Sequence, residues 1–196
     1  MTWRDTAPPF EFSNLDVVAA CERDEVGDGL IRDLQRTRAR VRHVWPMPAH
    51  LPDDADVVFS EFAPDLASRI PWVPGDPKAA LVVILPREPS PDLELLFNCA
   101  PDAVLHRPFT GQAVVTSLML ARAHFNYERR LRSRIGKLDE TLRTIRCVER
   151  AKAILISRRN MREDEAYQFM RRQAMSRRVP ISTIANAIVD TEEMLG

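Results

Sequence analysis

Residues 148–189 read VERAKAILISRRNMREDEAYQFMRRQAMSRRVPISTIANAIV. Three runs in this stretch carry apolar residues at three- and four-residue steps, the period of an α-helix. Val148, Ala151 and Leu155 share a face in the first run, Ala166, Met170, Ala174 and the neighbouring Gln173 and Arg177 in the second, and Ile181, Ile184, Ala185 and Ile188 in the third. Alanine on these stripes lets helices approach closely, and three such stripes can bury one another. The other faces carry Lys152, Arg158, Arg159, Arg162, Arg171, Arg172, Arg177 and Arg178. A small helical bundle with a basic skin calls for a polyanionic partner.

The same stretch resembles the ANTAR domain, an RNA-binding module of bacterial transcription antiterminators. The resemblance is carried by Ala151-Lys152, Ile154-Leu155, Asp164-Glu165-Ala166, Met170-Arg171, Ala174-Met175, and Ala185 with Val189 behind it. Two positions depart from the family pattern. Ile156 stands where a methionine is usual, and Arg162 stands where a serine or threonine caps the second helix. An arginine cannot accept the capping bond, although Glu163, Asp164 and Glu165 suit the positive end of that helix. On an RNA-binding reading the basic face is expected to grip phosphates through Lys152, Arg171, Arg172, Arg177 and Arg178.

The 196 residues have no formal net charge, but the charge is unevenly placed. Residues 1–124 hold 12 Lys/Arg against 18 Asp/Glu, and residues 125–196 hold 16 against 10, so the halves carry −6 and +6. The cysteines, Cys21, Cys99 and Cys147, and the four histidines form no metal-ligand spacing, and no cofactor or metal is expected. No apolar run reaches membrane-spanning length, and the N-terminus lacks the basic-then-apolar pattern of a signal peptide. A cytoplasmic protein without membrane attachment is expected. No nucleophile, acid/base or phosphate-loop constellation marks an enzyme.

Upstream of the bundle, apolar strands alternate with helices. Strands are expected at 15–20, 40–45, 56–59, 80–85 and 103–105, and helices at 25–38, 93–99 and from about 110. Continuous apolar strands alternating with helices indicate a parallel sheet covered on both faces. Five such units resemble a response-regulator receiver domain, a flavodoxin-like α/β fold, and Arg107-Pro108 falls where receivers carry a lysine–proline pair. Seven prolines crowd residues 46–77, so helices there must be short or replaced by loops. Those loops, with Trp45 and Trp72, either pack on the sheet or offer a partner a docking surface.

The resemblance sets requirements that the chain does not meet. A working receiver holds a divalent cation on an acidic pair after the first strand and phosphorylates an aspartate at the end of the third. It reads the phosphate with a hydroxyl after the fourth strand and a lysine after the fifth. The matching positions here are Ala20 and Cys21, Glu61, Pro86 and Arg107. Glu22 and Asp24 would enter the metal site only by a shift of register. Glu61 either pairs with Arg107, imitating a phosphorylated state permanently, or is a simple loop acid. The domain reads as a pseudo-receiver in both cases.

Leu131, Ile135, Leu138, Leu142 and Ile145 are spaced four, three, four, three, an a/d seam with charges filling the rest. The expected organisation is an arm at 1–13, a pseudo-receiver at 14–124, a coiled-coil connector at 125–147 that makes a homodimer, and an ANTAR three-helix bundle at 148–196. This order, with Trp45-Pro46 and Pro48 after the second strand, resembles the AmiR family of amidase-operon antiterminators. That likeness implies a protein that binds leader-mRNA hairpins to prevent termination. It also implies control by an AmiC-like ligand sensor with a periplasmic-binding-protein fold in place of phosphorylation. A DNA-binding response regulator using the last helices as a helix-turn-helix is the alternative, and a protein adaptor with a merely solvated basic face is a third.

Overall fold

The computed structural model describes residues 12–73 and 76–195. Most of the expected arm at 1–13 therefore lies outside the described residues. The chain forms two compact units, Met1–Arg129 and Arg130–Gly196.

The first unit is built on five parallel strands: β1 (Asp16–Ala20), β2 (Arg40–His43), β3 (Val57–Glu61), β4 (Ala80–Leu85) and β5 (Ala103–His106). Their order is β2-β1-β3-β4-β5, the flavodoxin-like doubly wound arrangement. The central strands β1, β3 and β4 are buried nearly throughout, which is why their sequences run apolar without alternation. The register places Ala20 opposite Ser60 and Glu61 opposite Ile84, so β1 and β3 end side by side.

One sheet face is covered by α1 (Glu25–Arg36) and by the first part of α4 (Gly111–Arg159), through Leu30, Leu34, Val114, Leu118, Ala121 and Phe125. Two polar clamps fix α4 to the strands. Arg122 meets Asp56 at 2.9 Å, and Asp102 accepts from His124 Nδ1 at 2.7 Å and from the Leu81 amide at 2.8 Å. Among the described residues, the helices on the other face are α2 (Leu66–Arg69) and α3 (Leu93–Asn98). The proline-rich segment fills the remaining space, with Leu51 and Ala55 buried and Met47, Ile70 and Trp72 packed behind them. Loop packing on the sheet is thus the observed use of most of that segment, while Trp45 stays 40% exposed.

Three expected elements end early, the helix at 93–99 by one residue, with Cys99 as its C-cap. The helix expected at 25–38 stops at Arg36, because Thr37 caps it and Arg38 turns to φ 66°. The strand expected at 40–45 stops at His43, ahead of the Trp45–Pro46 bond, since a proline cannot donate to a ladder.

In the second unit the end of α4 packs with α5 (Glu163–Arg177) and α6 (Ile181–Leu195). Ala151, Ala166, Met170 and Ala185 are wholly buried between them. The three apolar stripes meet, as their periods require. Arg162 leaves the α5 cap to Glu165, whose carboxylate accepts from the Arg162 amide at 3.0 Å. The chain turns into α6 through Arg178, in the left-handed region at φ 55°. Leu131, Ile135, Leu138, Leu142 and Ile145 lie on α4 at 38–63% exposure, high for residues of this kind.

Candidate functional site

The ends of β1, β3 and β5 and the start of α1 converge on Arg107. The Asp24 side chain caps α1, taking the Gly27 amide on Oδ1 at 2.6 Å. Gly27 is required there, since a Cβ would meet the Glu22 carbonyl oxygen at 2.0 Å. The second Asp24 oxygen accepts from Arg107 at 2.5 Å, and Glu61 accepts from the other terminal nitrogen of the same guanidinium at 2.5 Å. Arg107 is largely buried, its side chain 16% exposed. Desolvation opposes the charged form of both groups and is outweighed. The Gly27 amide and Arg107 hold the Asp24 carboxyl below its usual range, and the two carboxylates raise Arg107. Cys21 is buried beside them, and burial, with Glu61 nearby, pushes its thiol up to about 11. His43 Nε2 donates to the Cys21 carbonyl at 2.8 Å.

This cluster does not fit a divalent cation. Ala20 offers no ligand and Cys21 is buried as a neutral thiol. Glu61 and Asp24 already neutralise an internal guanidinium. Pro86, directly after β4, has no hydroxyl to read a phosphate. Ala20, Cys21, Glu61 and Arg107 are brought together as their strand positions imply. Asp24 is the member that sequence reasoning set aside. Its signal was legible as an aspartate one residue before α1, the position of an N-cap.

The basic skin of the bundle divides into two sets. Lys152 is held by Glu149 at 2.9 Å and by Glu163 at 2.8 Å, leaving its side chain 12% exposed. Hydrogen bonds from Glu163 and Glu149 raise its pKa, and Lys152 in turn lowers that of Glu163. Arg150 pairs with Glu193 at 2.8 Å and Arg158 with Glu192 at 2.5 Å. Arg171, Arg172, Arg177 and Arg178 are exposed, and among the described residues their side chains meet no carboxylate. Lys152 is therefore set apart from the four arginines with which sequence reasoning grouped it. The Glu149–Lys152 spacing of three was the available signal.

The AmiR N-terminal family matches residues 15–122, and the ANTAR domain family matches residues 136–189. The aliphatic amidase regulator of Pseudomonas aeruginosa is 29% identical over 187 residues, covering 91% of this chain and 92% of that protein. The transcriptional regulatory protein PdtaR of Mycobacterium tuberculosis is 30% identical over 128 residues, 65% of this chain and 60% of that protein. A response regulator protein from Burkholderia pseudomallei, solved with a phosphorylated aspartic acid, a calcium ion and citrate, covers 87% of this chain and 96% of its own. At 12% identity and a TM-score of 0.38 that likeness carries no argument, and the receiver-like fold rests on the strand order. The relatives are regulators, and the match over 15–122 spans more than half of the sequence. The chain belongs to the AmiR N-terminal family and carries an ANTAR domain, as a regulator of transcription.

Proposed function

We propose that this protein is an RNA-binding transcription antiterminator that holds hairpins in a leader mRNA and so prevents termination. The observation that carries the proposal is the set of exposed arginines without a carboxylate on α5 and the turn after it: Arg171, Arg172, Arg177 and Arg178. Arg150, Lys152 and Arg158 of the same bundle are, by contrast, neutralised within the protein. A cation left unpaired on a fixed helix is ready for phosphate and has no internal bond to break. Lys152 joins the contact set only on leaving Glu149 or Glu163, so its share is the smaller one.

The exposed seam from Leu131 to Ile145 supports a homodimer through a coiled-coil connector, which would present two bundles to two hairpins. The Arg107 cluster supports control by something other than phosphorylation, since an internal ion bridge already engages Glu61, at the position where a receiver carries its acceptor aspartate. A ligand-sensing partner with a periplasmic-binding-protein fold is the proposed controller, by extension from the amidase regulator relative. Among the described residues no helix is long and apolar enough to cross a membrane.

A gel-shift comparison of leader hairpin RNA with duplex DNA of the same sequence tests this reading. Retention of the RNA at salt that releases the DNA is expected. Preference for the duplex would favour a helix-turn-helix regulator, and binding to neither would favour a protein adaptor.

A further inference from the structure

The two edges of the parallel sheet differ. β2, at one edge, carries Arg40 and Arg42, paired with Asp16 at 3.6 Å and with Asp54 at 2.6 Å. Charge on an edge strand guards it against pairing with another chain. β5, at the other edge, reads Ala103-Val104-Leu105-His106 and holds no Lys, Arg, Asp or Glu. It pairs with β4 from Val82 with Ala103 to Leu85 with His106, and the Arg107 amide donates to the Leu85 carbonyl at 3.0 Å. Backbone groups alternate in direction along a strand, so residues 103, 105 and 107 face β4. The amides and carbonyls of Val104 and His106 therefore turn outward, and among the described residues no further strand meets them.

Grooves flank this edge on both sheet faces. One of about 720 Å³ follows β5 along the start of α4, walled by Phe109, Ala113, Thr116 and Leu120. Leu120 is 59% exposed, and no charged residue occurs from Pro108 to Ala121. The other, of about 620 Å³, follows α3 to Pro101, just ahead of β5, and is walled by Leu93, Leu96 and Phe97. Phe97 is 81% exposed. Ala103 and Leu105 pack toward α4, so Val104, itself exposed, lies on the α3 side. Asp92 and Glu94 on the α3 segment are exposed, and among the described residues they meet no cation. At 100° per residue, Glu94 lies about 60° round the helix from Phe97.

We propose that β5 takes an extended segment of a partner protein as a sixth strand. Outward amides and carbonyls ask for an extended backbone, because a helix has already spent its own groups internally. At about 3.3 Å per residue, the four residues of β5 match four or five of the guest. Successive guest side chains fall on opposite faces of the sheet. Those on the α4 side meet an uncharged, largely apolar wall. Those on the α3 side meet Phe97 beside unneutralised carboxylates. The guest therefore alternates apolar residues with lysine or arginine, each basic side chain laying its stem on Phe97 and turning its charge to Glu94 or Asp92.

The test titrates the full chain with the peptide acetyl-Val-Arg-Val-Arg-Val-amide and follows backbone amide NMR shifts. The largest shifts are expected at Val104 and His106, with smaller ones at Ala103 and Leu105. Two N-methylated forms of the peptide, one at the valines and one at the arginines, separate backbone pairing from side-chain adhesion. Alternate guest amides face β5, so one form should lose binding and the other keep it. Val104→Pro removes an outward donor without touching the β4 ladder, as edge positions allow. It should weaken the peptide roughly 5-fold, as loss of one hydrogen bond does. Should that variant melt earlier than the parent, Glu94→Lys decides at an exposed position: it should weaken the arginine peptide and strengthen acetyl-Val-Glu-Val-Glu-Val-amide. Shifts confined to α3 or α4, equal affinity of the two N-methylated forms, or a Glu94→Lys protein that still prefers the arginine peptide as the parent does would each overturn the proposal. Val104 and His106 amides already protected from exchange in the protein alone would show a second copy paired at this edge, and would overturn it too.

Discussion

Arginine is put to opposite uses in the two units. Arg107 is largely buried and spends its charge on Asp24 and Glu61, tying the start of α1 to the ends of β3 and β5. Arg171, Arg172, Arg177 and Arg178 stand in solvent with no carboxylate to answer them among the described residues. An internally satisfied guanidinium fixes structure and is closed to ligands. An unsatisfied one adds nothing to the fold and remains open to phosphate. The difference teaches that a count of basic residues locates neither function. The partner of each cation does.

The largest expected effect concerns how many copies of the open set act together. Leu138→Lys with Leu142→Lys sets charges into the apolar seam, which costs several kcal/mol on the rough scale for buried unpaired charge. Light scattering should report a monomer. Affinity for RNA with two tandem hairpins should fall on the order of 100-fold through lost avidity, while affinity for a single hairpin stays the same. A dimer that survives both changes would place the seam elsewhere.

The closed set can be broken next. Arg107→Ala leaves two carboxylates facing each other at the strand ends. Asp24 is 41% exposed, so solvent screens part of the loss, and roughly 2 kcal/mol of unfolding free energy should disappear in urea titration. Hairpin binding by the folded variant should not change. If it does, the two arginine sets are coupled and the contrast between them fails.

Arg178 sharpens the contrast within a single residue. Its backbone holds φ 55°, which disfavours any side chain, and among the described residues its guanidinium meets no carboxylate. Arg178→Gly should stabilise the protein by roughly 0.5 kcal/mol, as backbone relief outweighs the added freedom of the unfolded glycine. The same change should weaken hairpin binding. Opposite signs in stability and affinity mark a residue kept for its ligand.

The smallest effect is acid-dependent. Asp24 has its carboxyl below its ordinary value of 3.8 in the fold. The stability it supplies is present above that value and is lost as pH falls from there through the lowered one. Asp24→Asn keeps a capping side chain and removes the charge. Its stability deficit against the parent should therefore be measurable at pH 7 and shrink towards pH 3.

Most of the fold was legible in the chain. Unbroken apolar runs gave β1, β3 and β4 because both sheet faces are covered, and alanine-rich stripes at helical spacing gave the bundle. The absence of any breaker from Thr110 onward matches a helix that runs unbroken over Gly111–Arg159. The candidate site was legible only in part. Position along the strands brought Glu61 and Arg107 together, since parallel strand ends converge. Asp24 lies 83 residues from Arg107, and no local pattern announces such a pair. Lys152 was grouped with the exposed arginines because a helical face shows where a cation points and not what waits across the packing, here Glu163 at the start of the next helix.

The central claim, that the unpartnered arginines form the RNA face, is tested most directly by the salt dependence of hairpin binding. The slope of log affinity against log salt is measured for the parent and for the variant with Arg171, Arg172, Arg177 and Arg178 all replaced by alanine. Each phosphate contact contributes roughly 0.7–0.9 to that slope, so the variant's slope should be shallower by about 3, with its melting temperature preserved. An equal slope and equal affinity in the two proteins would contradict the claim and place the RNA on another surface.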